Sequence, residues 1–318
     1  MRLFNQANYP FIEWRHKAYV ASVAVIVTGI AAMLFNVTSL GTWQNYGVDF
    51  TGGSLIQVQF SQPATAAQLR AALGGAQSPP ITRFGQDNEF VVRASLGAEE
   101  VDVVRAQIED QLVAAFGSSA FEVVRTETVG PKIGAELQQK AALAILFSFG
   151  LSLVYLAMRF ELRFGLAAVI ATFHDIMITL GFLALLRVEI ALPTVAAILT
   201  IVGYSLNDTI VVFDRIRENL NAKGGRRKDP VSLVNRSINE TLPRTVLTSG
   251  TTLAVLMALL IVGGAVIRDF TLVLILGVTV GTYSSIFVAS PALLEIQKRF
   301  GDGSARRERK EKRATSPA

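Results

Sequence analysis

Apolar residues run on for twenty or more positions at a time along much of this chain. Six such runs stand out, at about 17–37, 140–159, 163–186, 190–213, 243–263 and 268–296. A helix crossing the hydrocarbon core of a membrane needs about 20 mostly apolar residues, so each run predicts a spanning helix. The stretch between the first two runs, residues 38–139, has a different period. In "SLIQVQF", Ile56, Val58 and Phe60 alternate with Gln57 and Gln59, the pattern of a half-buried strand. "TAAQLRAAL" reads as a short helix closed by Gly74 and Gly75. "ITRFG" and "EFVVRA" are strands about a turn, and "FEVVRTETV" is a last strand. Before it, "EEVDVVRAQIEDQLVAAF" sets Val101, Val104, Ile108 and Leu112 on one helical face. The order β-α-β-β-α-β predicts a ferredoxin-like α+β domain with enough residues for a modest core of its own.

Composition agrees with the runs. The 318 residues are 51% hydrophobic and only 17% charged, against about 25% charged in soluble domains. Placement of the charge says more than its net value of +5. Arg15 and Lys17 precede the first run, Arg159 and Arg163 lie between the second and third, and Arg215 to Arg236 lie between the fourth and fifth. The opposite short loops hold only Arg187 and Arg268. By the positive-inside rule both termini are expected to be cytoplasmic, with the 38–139 domain outside. The first run is too long for a signal-peptide core and lacks a small-x-small cleavage site, so it reads as a retained anchor. The expected division is 1–37 for the cytoplasmic N-terminus and first helix, 38–139 for the α+β domain and 140–300 for the other five helices. Residues 214–242 are expected to form an amphipathic helix on the cytoplasmic membrane surface, and 301–318 a disordered basic tail. Basic blocks beside a membrane favour anionic lipid over nucleic acid.

Chemistry is concentrated inside the apolar runs. The soluble domain carries eleven acidic and six basic residues without a clustered nucleophile, acid or base, and reads as a binding or moving module. Absence of cysteine excludes thiolate metal sites; His16 and His174, far apart in sequence, make a poor ligand set; and no P-loop is present, so neither a metal nor any other cofactor is expected. In the fourth run, Tyr204, Asn207 and Asp208 interrupt the apolar sequence, with Tyr204 and Asp208 on one face. Arg244, Thr248, Thr251 and Thr252 form a polar stripe in the fifth run, and Thr172, Asp175 and Thr179 another in the third, with His174 beside it. Span six adds Thr279, Thr282, Tyr283 and Ser285. Many of these have plainer readings: threonines bonded to the carbonyl one turn back, Asp214 and Arg215 anchoring at the interface, His174 as either a packing residue or a proton carrier. Asp208 stands apart, because a charge at that depth costs roughly 2.5–3.5 kcal/mol on insertion scales. A carboxyl there, with Arg244 at a variable distance, would take up and release protons as the bundle moves. Asp208, Arg244 and Thr248 are the expected proton relay, with Asp175, His174, Tyr204, Asn207 and Thr252 as accessory candidates.

Five segments carry a resemblance: "YGVDFTGG" (46–53), "TVGPKIGAEL" (128–137), "FHDIMITLG" (173–181), "VGYSLNDTIVVFDRIREN" (202–219) and "PRTVLTSGTTL" (243–253). In this order they resemble the SecF side of the SecD/SecF family of protein-export membrane proteins, relatives of the resistance-nodulation-division (RND) transporters. The resemblance implies a half-bundle of six helices that pairs with SecD, assists the SecYEG channel together with YajC, and uses the proton gradient to help preproteins emerge. It implies proton passage at Asp208, with Arg244 and Thr248 in the matching motif. It also implies a bacterial inner-membrane location. A motor of this kind would swing its 38–139 domain on "GVDFTGG" and "VGP". The competing readings are a proton-coupled exporter of small molecules or lipids and a non-transporting assembly subunit in which Asp208 clamps helices.

Overall fold

The computed structural model describes residues 7–75, 78–84, 88–94, 101–222, 229–264 and 267–300. Six of its helices are long and apolar enough to cross a membrane, as the runs predict. They are α1 (Arg15–Leu40), α5 (Pro131–Arg159), α6 (Leu162–Leu186), α7 (Leu192–Asn221), α8 (Pro230–Val262) and the unit that begins with α9 (Arg268–Ser284). The last continues through a single π turn, Ser285–Ala289, into α10 (Ser290–Phe300). Ser290 Oγ donates to the Ser285 carbonyl across 2.8 Å, a side-chain bond where the backbone ladder widens. More than half of the apolar stretch of α6, α7 and α9 is buried, against less than a fifth for α1, α5 and α8. Three helices therefore form the centre and three lie around it.

Small residues set how closely these helices approach. Gly29 on α1 and Gly181 on α6 face one another so tightly that a Cβ on Gly29 would lie 2.6 Å from the Gly181 Cα. Asn36 Nδ2 adds a bond to the Ala184 carbonyl at 2.9 Å. Ahead of α1, the Tyr9 and Ile12 amides donate to Asn239 and Asn235 of α8, each at 2.9 Å.

The soluble domain contains short α2 (Val48–Thr51), β2 (Gly53–Phe60), α3 (Ala66–Ala72), β3 (Ile81–Arg83), β4 (Glu89–Ala94), α4 (Val101–Phe116) and β5 (Phe121–Val129). The sheet order β3-β4-β2-β5, antiparallel throughout, is the expected split βαβ arrangement. Ile56, Val58, Phe60, Phe90 and Val92 bury one face of the sheet against Leu69, Leu73, Ile108 and Leu112 of the helices. Thr65 caps α3 in a reciprocal pair with Gln68. Gln57, expected to face water, is buried on the other face, because that face looks onto the end of the bundle.

One expectation changes. Residues 214–242 do not make a separate surface helix. Instead α7 runs on to Asn221 and α8 starts at Pro230, with Asp229 accepting from the Ser232 amide as a cap. The two extensions pair as a hairpin through Arg215–Glu240 at 2.7 Å and Asn219–Ser237 at 2.9 Å. Residues 223–228 and the tail 301–318 lie outside the described residues. Of the two segments on which the domain is expected to swing, "GVDFTGG" is closely packed in this structure. Strand β1 (Asn45–Tyr46) pairs in parallel with β6 (Glu189–Ile190) between α6 and α7. Gly53, at φ 137°, carries its backbone against the Ala94 carbonyl where a Cβ would approach to 2.6 Å. A Cβ on Gly134 of α5 would likewise lie 2.9 Å from the Gly52 nitrogen. Glycine at these positions permits close packing of backbone, which holds the domain's entry and exit together.

Candidate functional site

Helix α7 turns the buried face Ile201, Val202, Ser205, Thr209 and Val212 inward and leaves Gly203 and Asn207 exposed. Asp208 lies on the buried side and is 2% exposed. Its Oδ2 accepts from Ser249 Oγ of α8 at 3.3 Å and from Thr282 Oγ1 of α9 at 3.4 Å. Those hydroxyls also lie 2.7 Å apart, so their two hydrogens serve these three contacts in turn, and Tyr204 OH donates to Ser249 at 3.4 Å. Three helices thus meet on one carboxyl through neutral donors, and Tyr204 shares its face as the spacing predicts.

Arg244 and Thr248 are placed differently from the sequence expectation. Arg244 is exposed on the outer side of α8 and has no ion pair among the described residues. Thr248 is also exposed, and its hydroxyl bonds back to the carbonyls of Arg244 and Thr245, each at 3.0 Å. It does not touch Asp208. Ser249, the next residue, takes that contact because the inward stripe of α8 is Thr241, Thr245, Ser249 and Leu256. Thr251, Thr252 and Thr279 bond to the carbonyl four residues back, the plainer reading given above. Ser249 and Thr282 were missed as ligands because serine and threonine occupy both faces of α8 and α9. Asp214 pairs with Arg159 at 3.3 Å at the far end of the helix, an anchoring contact.

A second carboxyl is enclosed more completely. Asp175 on α6 is wholly buried; its Oδ1 lies 2.9 Å from His174 Nδ1, and its Oδ2 accepts from Ser205 of α7 and, at 2.8 Å, Ser284 of α9. His174 Nε2 reaches Ser22 of α1 at 2.9 Å. Ser205 lies three residues before Asp208 and Ser284 two after Thr282, so α7 and α9 contact both carboxyls.

At the domain end of the bundle a cleft of about 480 Å³ separates the open sheet face from the α6–α7 and α9 ends. Arg93 of β4 pairs there with Glu189 of β6 and donates to Thr82 at 2.7 Å. Asp49 Oδ2 accepts from the Leu192 amide at 2.8 Å, at the start of α7. Burial pushes the Glu189 carboxyl above its ordinary range, aided by the negative charges of Asp49 and Asp269 and opposed by Arg93.

Comparisons with known proteins follow the same lines. Residues 108–299 match the family described as protein export membrane protein SecD/SecF, C-terminal, and residues 45–64 match the SecD/SecF GG motif. The protein translocase subunit SecF of Gemmatimonas aurantiaca is 45% identical over 312 residues, covering 94% of this chain and 90% of that protein. The subunit of the same name from Vibrio alginolyticus is 45% identical over 90% of this chain and 89% of its own length. Among solved structures, SecDF from a Thermus species, titled a translocon-associated membrane protein, superposes with a TM-score of 0.80 at 39% identity. That match covers 94% of this chain but 40% of the longer solved chain.

Proposed function

This chain belongs to the SecD/SecF family of protein-export membrane proteins, and from that premise we propose that it is the SecF subunit of a bacterial protein translocase. It is a multi-pass membrane protein with a transport role and no chemical turnover of its own. Its partner is SecD, which supplies the rest of the bundle, as the 40% coverage of the solved SecDF chain suggests. The complex acts in the inner membrane with both termini of this subunit cytoplasmic. There it assists preproteins leaving the SecYEG channel, with YajC associated. The proton gradient is its energy source in place of a cofactor.

One observation carries the reading. Asp208 is buried in the bundle, held among the described residues by hydroxyls alone, beside a face where Asn207, Arg244 and Thr248 stand exposed. A buried acid without a bonded cation can change its ionisation when a neighbouring cation moves. SecD packed on the exposed face would control how near Arg244 comes. One proton moving through the membrane potential releases about 2.3 kcal/mol per 100 mV, enough for more than a tenfold population shift. Movement reaches the soluble domain through α1, α5 and the β1–β6 staple.

Asp208→Asn tests the reading in a reconstituted complex with SecD and the channel. The variant should assemble normally and lose gradient-dependent export. Full coupling with asparagine at that site would overturn it, and loss of assembly would favour the clamp.

A further inference from the structure

The proton site at Asp208 leaves unused the enclosed His174–Asp175 pair, whose hydrogens can be counted. The Ala18 carbonyl only accepts, so Tyr283 gives it the phenol hydrogen across 2.9 Å. Ser22 must then donate to the Tyr283 oxygen at 3.1 Å, since the phenol has no hydrogen left. With its own hydrogen committed, Ser22 accepts from His174 Nε2 at 2.9 Å, and that nitrogen is therefore protonated. One hydrogen remains to be placed between His174 Nδ1 and Asp175 Oδ1, 2.9 Å apart. Whichever atom holds it, the pair shares one proton and has no net charge. That suits a site without other charge: among the described residues no lysine or arginine pairs with either member. Tyr283, its ring stacked 6.2 Å from the imidazole, is the other titratable group in contact; the remaining partners are Ser22, Ser205 and Ser284.

We propose that the His174–Asp175 pair is a second proton-holding site of the bundle, whose loading controls the grip of α6 on α1. This rests on the proton-driven reading above and adds a site and an output to it. When the shared proton leaves, the Nδ1 lone pair faces a carboxylate, and that contact becomes repulsive. The imidazole relieves it by taking the other tautomer, with its remaining hydrogen on Nδ1 toward Asp175 and Nε2 left as an acceptor, which removes the donor from Ser22. Ser22 has one hydrogen and can then bond either Tyr283 or Nε2 but not both, so α1 loses one of its hydrogen bonds to α6 and α9 while Asn36–Ala184 and the glycine contact at Gly29 remain. Return of the proton restores the chain from Asp175 through His174 and Ser22 to Tyr283. Because α1 leads into the soluble domain, the pair links proton occupancy to the element that carries that domain.

The chain contains no cysteine, so a Val20→Cys, Phe173→Cys pair can carry spin labels on exposed positions of α1 and α6. The label distance is read in the full complex in lipid at a series of pH values between about 5 and 8. The distance should shift with pH in the parent, lose the shift in Ser22→Ala, and keep it in Ser22→Thr, which retains the hydroxyl. A shift in Ser22→Ala equal to the parent's, or its loss in Ser22→Thr, overturns the proposal. Asp208→Asn is run in parallel for export. If that variant stays coupled the proton-driven reading fails and this inference with it, whereas an unaltered Ser22→Ala response removes the second site alone. A parent distance that ignores pH also overturns it.

Discussion

Asp175 and Asp208 are both carboxyls buried in the bundle, yet their surroundings oppose each other. Asp175 is complete within this chain: α6, α7 and α9 close on it, and an imidazole and two hydroxyls satisfy its oxygens. Asp208 lies at an edge: two long hydroxyl contacts hold it, and Arg244 stands exposed on the outer face of α8. A closed site can serve internal structure and signalling. An open one depends on what packs beside it. The two carboxyls therefore divide the bundle into a part specified by this sequence and a part that awaits its partner.

The strongest way to break that contrast is to remove each acid in turn. Asp175→Ala strands His174 in a dry interior, and breaking a buried pair by deleting one member costs about 3–5 kcal/mol. Asp208→Ala leaves Ser249 and Thr282 bonded to each other at 2.7 Å, a loss of about 1 kcal/mol. Thermal unfolding in detergent should separate the two variants clearly, and equal losses would abolish the distinction. A smaller effect is expected from Gly29→Leu, which overpacks the α1–α6 contact at about 1–3 kcal/mol. It should loosen the His174–Ser22 connection and leave the surroundings of Asp208 unchanged, as reported by solvent accessibility of cysteines placed beside each site.

The smallest effect belongs to a third acid, Glu189, at the cleft. Its carboxyl is raised in the docked state, so docking binds a proton more readily than the undocked domain does. That contribution is full below the ordinary carboxylate value and is lost as pH rises through the docked value. Glu189→Gln should flatten this dependence while leaving Arg93 an acceptor, a change under about 1 kcal/mol. Distance measurements across the cleft over the acid range check the sign; firmer docking at neutral pH than in acid would reverse it.

Much of this architecture was legible in the sequence. Length and apolarity alone predict six crossings, and the switch to period two marks the β-α-β-β-α-β domain. Asp208 is visible because a charge interrupts an apolar run. Ser249 and Thr282 were not visible, since hydroxyl residues occur on both faces of their helices and only packing says which face is inward. The extended hairpin of α7 and α8 was hidden for a related reason. Residues 214–242 are amphipathic, and that pattern suits a membrane surface as well as a partner helix. Arg215 and Glu240 settle it only once they are seen together. The β1–β6 pair is two residues long on each side, too short for any periodicity to reveal.

That short pair has a consequence for how the protein is made. Asn45 and its hydrogen-bond acceptor Arg187 are 142 residues apart. Synthesis proceeds at about 5–20 residues per second, so strand β1 waits roughly 7–30 s for its mate to be translated. The soluble domain has its whole sheet by then, but the membrane side of its clasp does not yet exist. Attachment is therefore a late event in biogenesis, and a chain stalled before residue 189 would present a folded domain with its staple still open.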